Sequence, residues 1–466
     1  MKKILISFLL ILSYCTYAQE IKCDKADIAE AGNLAINTVN INIRRGILAA
    51  GGDYGGEWVR DISINSWNGV SLLKPEVAEK SMWSVTVNKD SVGHQYWDRI
   101  IWVIAALNHY RATGDMEFLK QAFHCSANTI SKLEQFAFDS KYGLFTGPSV
   151  FNDGIAGYPE PIYDSTINSS YVLDHKNSHT IKCLSTNCIY YGAYNALCEM
   201  GKMLNADDNL LAGYKGKAEN LKKNILKYFY SEKENKLNYL IDNTGHIDNS
   251  QEGLGISFAV IFGIITKEQA NKITSNAAVS KFGITSIYPD FPRYSAEKPG
   301  RHNNIIWPMV NGFFAQASVI AGDMNTFSNE LNSLTSLALD KDKGNYQFWE
   351  IYNPYTGKPD GGWQVGTHWN SCRLQTWSAT AYINMVLYGL AGIRLENDGI
   401  MFEPRLPGDI NYLEIRDIKY HKSNLNISIK GNGSKIKSLK LNGSAIDGNR
   451  ISSALKNFND VVIELE

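Results

Sequence analysis

Asp98–Thr113 reads DRIIWVIAALNHYRAT, and shortly after it Glu117–Phe136 reads EFLKQAFHCSANTISKLEQF. Both have the length and apolar spacing of helices, and they are bounded by loops rich in Gly, Pro, Asn and aromatic residues. The same grammar recurs from about Asp27 to Gly392: Thr186–Leu204, Tyr214–Tyr230, Trp307–Ala321 and Gln375–Leu390 are further stretches of this kind. Alternation with strands is absent, so a parallel α/β sheet is excluded. About a dozen such stretches fit, the number that a barrel of six helical hairpins uses.

After Gly392 the texture changes. Ile400–Pro404, Tyr412–Tyr420, Leu425–Ile429, Ile436–Leu441 and Val461–Leu465 are short, β-branched runs punctuated by Gly431-Asn432-Gly433 and Asn442-Gly443. They predict a small antiparallel β domain. The expected class is therefore an all-α (α/α)6 toroid over 19–393, followed by a small β-sandwich-like domain over 394–466.

Lys2 and Lys3 precede an apolar run from Ile4 to Leu12, and Thr16 and Ala18 precede Gln19. This pattern predicts a secretory signal peptide over 1–18, hence export to the periplasm or outside the cell. Lipoprotein anchoring at Cys15 fits less well, because Tyr14 is bulky where such signals carry a small residue. No later run reaches the ~20 apolar residues of a membrane span. With 46 basic and 47 acidic residues, the charge balance gives no reason to expect nucleic acid or an anionic membrane as partner. Cys183 and Cys188 lack a second pair to complete a zinc site and read as buried thiols. There is no phosphate loop, dinucleotide fingerprint or His-Glu-x-x-His, so no cofactor and no metal are expected.

All ten tryptophans fall in two windows, Trp58–Trp102 and Trp307–Trp377. Aromatic faces stack on sugar rings while amides and charged groups bind hydroxyls, so this clustering points to a carbohydrate cleft. The first window carries Gly51-Gly52-Asp53-Tyr54-Gly55-Gly56-Glu57-Trp58-Val59-Arg60-Asp61, a glycine-rich loop running into a helix. Arg60 and Asp61 offer a donor fork and an acceptor to adjacent hydroxyls, with Trp58 beside them.

Trp58-Val59-Arg60-Asp61 resembles the Trp-x-Arg-Asp element of glucoamylases and debranching glucosidases, in which the Arg-Asp pair holds the non-reducing-end sugar. Phe348-Trp349-Glu350-Ile351-Tyr352-Asn353-Pro354-Tyr355-Thr356-Gly357 resembles the Glu-x-Tyr-x-Pro-x-x-Gly segment of trehalases and processing α-glucosidases, whose Glu is the catalytic base. His302-Asn303-Asn304-Ile305-Ile306-Trp307-Pro308, Gln375-Thr376-Trp377-Ser378-Ala379 and Pro404-Arg405-Leu406-Pro407 follow in the order of these six-hairpin glycosidases. The resemblance implies an inverting glycoside hydrolase that removes a terminal sugar, with α-glucosides favoured, and it makes Glu350 the base.

Inversion needs a second carboxyl, roughly 6.5–9.5 Å from the first. The loop Phe145–Glu160 offers Asp153 in a Gly- and aromatic-rich setting at the point where related barrels carry their acid, although the trehalase signature around that acid is not reproduced. An aromatic pocket is expected to raise its pKa. Glu160, Asp98 and Glu252 compete for the role. Gln95, Trp97, Asn152, Gln251, Arg301 and His302 are candidate sugar contacts, as are Trp363, His368, Trp369 and Asn370, with Trp307 and Trp349 beside them. The same barrel serves α-L-rhamnosidases and other exo-glycosidases, and rival readings are a phosphorylase, a polysaccharide lyase and a non-catalytic glycan-binding protein.

Overall fold

The computed structural model describes residues 19–54, 57–343 and 345–466; residues 1–18, over which a signal peptide is expected, and Gly55-Gly56 of the glycine-rich loop lie outside the described residues. The helices in chain order are α1 (Ala26–Ile41), α2 (Val59–Asn65, continued by a π turn over Ser66–Val70 and by Ser71–Leu73), α3 (Pro75–Ser84) and α4 (Ile101–Thr113). Next come α5 (Met116–Ala137), α6 (Leu184–Met203), α7 (Asp208–Phe229) and α8 (Gly253–Ile261). The last are α9 (Lys267–Ser275), α10 (Pro308–Ala321), α11 (Met324–Leu339) and α12 (Thr376–Asn384, continued by a π turn over Met385–Leu390).

The even-numbered helices form a closed ring, each packed on the next, with α12 returning to α2. The odd-numbered helices lie outside; α1 completes the ring's last hairpin by packing on α12. Sequence explains the two layers. The inner α10 is buried at nearly every position, as a helix with neighbours on all sides must be. The outer α7 buries only Tyr214, Ala218, Leu221, Ile225 and Phe229, a single stripe at helical spacing.

The N-termini differ in the same way. Asp115, Asp207, Thr266 and Asp323 cap the outer helices α5, α7, α9 and α11 with their side chains. None of the inner helices has a side-chain cap among the described residues. Their first amides are met instead by loop backbone, as Leu184 by Tyr239, Gly253 by Ser286 and Thr376 by Ala50, and their positive dipole ends lie toward one end of the ring.

The strands that accompany the barrel are β1 (Glu20–Cys23), β2 (Ile393–Leu395), β3 (Gly399–Phe402), β4 (Tyr412–Tyr420), β5 (Ser423–Lys430), β6 (Ile436–Leu441), β7 (Ser444–Ile446), β8 (Arg450–Ser452) and β9 (Phe458–Leu465). One sheet has the order β1-β4-β5-β9-β6-β7 and a second the order β2-β3-β8. Leu425, Ile427 and Ile429 of β5 face inward by alternation. They share one core with Ile28, Leu72 and Tyr382 of the barrel.

Two features differ from the sequence reading. The larger sheet is mixed, because β5 and β9 run parallel from Asn424–Phe458 onward: the detour through β7 and β8 brings the chain back to the end at which β5 begins. And β1, ahead of the first helix, pairs with β4, Ile21 opposite Ile415. No helix among the described residues is long and apolar enough to cross a membrane.

Gly312 sets the spacing of α10 and α12. A Cβ there would lie 2.7 Å from the Ala381 Cβ and 3.0 Å from its Cα. A mid-helix Gly→Ala change ordinarily stabilises by ~1 kcal/mol, but this contact reverses the sign. Gly312→Ala is expected to lose about 1–3 kcal/mol by overpacking, measured by denaturant unfolding; a gain in stability would refute the close approach.

Candidate active site

At the end of the ring where the inner helices begin, a cavity of ≈ 290 Å³ is lined by Tyr54, Trp58, Arg60, Asp61, Asp153, Tyr171, Arg301, His302, Trp307, Glu350, Gln364, Trp369, Gln375 and Trp377. Arg60 and Asp61 stand in the first turn of α2. Asp153 comes from the loop entering α6, Arg301 and His302 from the loop entering α10, and Glu350 from the loop entering α12. Every one of these side chains thus sits on a segment leading from the outer to the inner layer. In the ring order, α6 and α12 are half a turn apart, so the loops carrying Asp153 and Glu350 lead into opposite sides of the ring.

Arg60 organises one wall. Its Nη1 donates to Gln95 Oε1 (2.6 Å) and Asp98 Oδ2 (2.9 Å), and its Nη2 to Asp153 Oδ2 (2.7 Å). Burial works against its charge, but Asp153, Asp98 and Asp61 raise its pKa and keep it cationic. The guanidinium also lies over Trp58, 5.5 Å from the ring centroid.

Arg301 organises the other wall. Its Nη2 donates to Glu350 Oε1 (3.0 Å) and its Nη1 to the Gly361 carbonyl (3.0 Å). Glu350 also accepts from Tyr54 OH (3.0 Å to Oε2) and from the Cys372 amide (3.2 Å). Burial and the neighbouring Glu350 push the Tyr54 phenol well above its usual pKa, so it serves Glu350 as a donor. Three donors thus converge on one carboxylate and fix its orientation.

The remaining ionisable groups respond to burial and neighbours in different directions. Burial pushes Asp61 up to about 7, with Arg60 opposing and Glu350, Asp98 and Asp153 adding to the rise. Burial likewise takes Asp98 up to about 6 despite Arg60. His302, stacked on Trp307 with centroids 4.9 Å apart, is pushed down by burial to about 3 and is neutral. Its Nδ1 donates to Asn152 Oδ1 (3.1 Å), and its Nε2 faces Asp153 Oδ1 at 3.5 Å.

Asp153 departs from the sequence expectation. Burial raises its pKa as anticipated, but the charge and hydrogen bond of Arg60, with the charge of Arg301, outweigh it, and the carboxyl lies below its usual value in the free protein. An aromatic setting was legible in the sequence; the guanidinium that reaches it from α2 was not.

Of the expected contacts, Trp58, Arg60, Asp61, Arg301, His302, Trp307 and Trp369 meet at the cavity with Asp153 and Glu350. Gln95, Asp98 and Asn152 stand behind it, holding Arg60 and His302. The others lie elsewhere. Trp97 is fully buried in a core with Ile155 and Tyr158, and Trp349 packs on Phe282 and Tyr352. Gln251 is tied to the Ala278 backbone, His368 to Asp360, and Trp363 pairs with His368 in a short hairpin. Asn370 and Glu160 are exposed outside the cavity, and Glu252 is buried below it against the Ser185 amide. The tryptophan clustering is thus mostly packing: Trp83, for example, lies against Trp102 and Phe118, and only Trp58, Trp307, Trp369 and Trp377 line the cavity.

Sequence reading did not single out Tyr54, Tyr171, Gln364, Gln375 or Trp377 as contacts. Tyr54 and the Gln375–Trp377 pair sit inside stretches already marked by their motifs, a signal that was available. Tyr171 has none: it is delivered from an Asn- and Ser-rich loop through its backbone bridge with Gly154. Gly154 itself admits no side chain, since a Cβ would lie 2.2 Å from Gln364 Oε1 and 2.4 Å from His302 Cδ2.

Residues 72–378 match the family described as the mannosylglycerate hydrolase MGH1-like glycoside hydrolase domain, and residues 393–447 match the C-terminal domain of glycosyl hydrolase family 65. No curated protein matches the sequence. Among solved structures, a sialidase superposes with a TM-score of 0.72 at 16% identity, covering 94% of this chain and 42% of its own. A GH78 rhamnosidase of a Bacillus species gives 0.63 at 14% identity, covering 88% of this chain and 41% of its own. The GH63 mannosylglycerate hydrolase from Thermus thermophilus, in complex with Tris and D-glycerate, gives 0.58 at 15% identity, covering 76% of this chain and 100% of its own. At these identities the likeness establishes the fold, and this chain spans less than half the length of the first two.

Glu252 offers a test that separates buried structure from chemistry. Burial pushes its carboxyl up to about 7 from an ordinary 4.5. Because the folded pKa is raised, ionisation costs stability as pH climbs from about 4.5 to 7, by roughly 3 kcal/mol above that window, and costs nothing below it. Glu252→Gln is therefore expected to be more stable than the parent at pH 8, equal to it near pH 4, and undiminished in activity. A loss of turnover would move Glu252 into the mechanism.

Proposed function

This chain belongs to the mannosylglycerate hydrolase MGH1-like glycoside hydrolases, and on that premise we propose that it removes one terminal sugar from a small neutral α-glycoside with inversion. Glu350 activates the water and Asp153 protonates the leaving oxygen. The observation that carries this reading is the placement of the two carboxyls on loops half a ring apart around a cavity of ≈ 290 Å³. That volume is at the low end for ligand sites, ~300–1,000 Å³, and suits a single ring with a short aglycone.

Each group's surroundings support its role. Glu350 is held by Arg301, Tyr54 and the Cys372 amide, which fix the lone pair that takes a proton from water. Asp153 is the most open of the three carboxyls at the cavity, its side chain 25% exposed against 6% for Asp61 and 4% for Glu350, and so the one able to reach a leaving oxygen. With the His302 Nδ1–H engaged by Asn152, the Nε2 lone pair accepts a hydrogen bond from a protonated Asp153. Arg60 and Asp61 grip the hydroxyls of the terminal sugar, and Trp58, Trp307 and Trp369 supply apolar faces.

The sequence motifs favoured glucose. The family description and the rhamnosidase among the structural neighbours put mannose and rhamnose beside it, with mannose first. The two guanidinium groups at the cavity are both engaged by carboxylates, and this favours a neutral aglycone over an acidic one. The Lys2-Lys3 and Ile4–Leu12 pattern supports export.

A second reading follows from Asp61, which burial pushes up to about 7, so that at the cavity it holds a proton in the neutral range where Asp153, lowered by Arg60, does not. The pH dependence of kcat/KM decides, because it reports the free enzyme. With Asp153 as donor, the rate falls steadily through the neutral range as pH rises; with Asp61 as donor, it holds until about 7 and then falls. Glu350→Gln is expected to lose about 10²–10⁴-fold in kcat without added phosphate, and NMR of the first product from an α-glycoside should show the β anomer. Undiminished turnover in the variant, or an α product, overturns the assignment.

A further inference from the structure

The ring contains a second cavity, of ≈ 330 Å³, at the end where the inner helices finish. Positions facing the middle of such a ring are ordinarily apolar, yet here the helices present Asn68, Asn108, Asn195, Gln316 and Asn384. Two of the contributing helices depart from α geometry at this level: the π turn Ser66–Val70 carries Asn68 and has Gly69 at φ 131°, and the π turn Met385–Leu390 follows Asn384 directly. π turns inside helices recur at functional sites.

The polar groups are supplied but not used up. Asn68 is 1% exposed, and neither its Oδ1 nor its Nδ2 has a protein partner. Asn384 Nδ2 donates to Gln316 Oε1 (3.0 Å), leaving Gln316 Nε2 to donate and Asn384 Oδ1 to accept. Asn108 Nδ2 is engaged by the Ile104 carbonyl (2.9 Å), leaving its oxygen. Asn195, in the middle of α6, is exposed and opens the cavity to solvent. The charged residues of the lining are already matched: Arg111 pairs with Glu199, and Arg394 Nε lies 3.3 Å from Glu403. Trp67 and Phe262, ring centroids 6.0 Å apart, add aromatic surface.

We propose that this basal cavity is a second ligand site, separate from the one that carries the carboxyl pair, and that it binds a neutral polyhydroxylated molecule of monosaccharide size. Several amides with spare donors and acceptors, no spare charge, and aromatic surface together match hydroxyl groups on an uncharged ring or polyol and offer nothing to an ion. The site lies across the ring from the reaction, so its occupancy is independent of turnover.

Equilibrium dialysis of the full chain against D-glucose, D-mannose, L-rhamnose and sorbitol, counting equivalents bound, tests this. Asn195→Trp fills the cavity from a solvent-exposed position, and Asn108→Leu removes one acceptor at nearly constant volume. At least one probe should lose one equivalent in Asn195→Trp and weaken by roughly tenfold at one site in Asn108→Leu, with kcat/KM unchanged in both. Loss confined to the ring sugars assigns the site to pyranoses, and loss that includes sorbitol assigns it to open polyols. Equal stoichiometry and affinity for every probe in the parent and in whichever variants fold would overturn the proposal. Because the readout is binding, failure of the hydrolytic assignment leaves it standing.

Discussion

A single buried guanidinium sets the terms for the working end of this protein. Arg60 leaves α2 and is met by Gln95 and Asp98 from the turn before α4 and by Asp153 from the loop before α6. Three consecutive segments of the inner layer are thereby locked together through one planar group that has no neutral state to retreat to. Taking away one member of such a buried network typically costs ~3–5 kcal/mol, because the partner is left charged and unmatched. The same contact that orders the wall also fixes the protonation of the carboxyls around it: Asp98 and Asp61 are raised by burial, while Asp153 is lowered. Structure and acidity are here one arrangement.

The distribution of helix caps adds a second layer to that electrostatics. The outer helices α5, α7, α9 and α11 satisfy their first amides with Asp or Thr side chains and are free to start in solvent. Inner helices cannot, since their beginnings face the cavity and the loops that carry the chemistry. Their dipole ends add positive potential at that end, which burial outweighs for Asp61 and Asp98. The positioning of Asp61, Asp153 and Glu350 at that end, with amide-rich surfaces at the other, follows from the alternating direction of the chain.

Much of this was readable from sequence, and the physical reason is that helical hairpins are local. The stretches around Asp98–Thr113, Glu117–Phe136 and Trp307–Ala321 announce themselves by spacing alone, as does the strand texture after Gly392. Arg60, Asp61 and Glu350 could be picked out because a glycine-rich loop or a short motif marks them in place. What escaped were properties made by distant partners. The acidity of Asp153 depends on a residue more than ninety positions away; Trp97 and Trp349 look like cleft aromatics until the core that absorbs them is seen; Gln251 sits beside a plausible carboxylate yet spends its amide on backbone. The parallel pairing of β5 with β9 could not be foreseen, because strand-by-strand patterning carries no information about the order in which strands are laid down.

The small strand at Glu20–Cys23 has a consequence for how this molecule comes into being. Its partner, β4, follows the whole barrel in sequence, and α1, next after the small strand, completes a hairpin with the barrel's final helix. The segment ahead of the barrel therefore waits for one that follows it, and closure of the ring is a late event of very high contact order. Until then α1 and β1 have apolar faces with nothing to bury them. Once β4 arrives, β1, α1 and α12 are fastened into the same core, and the ring is held shut at its seam.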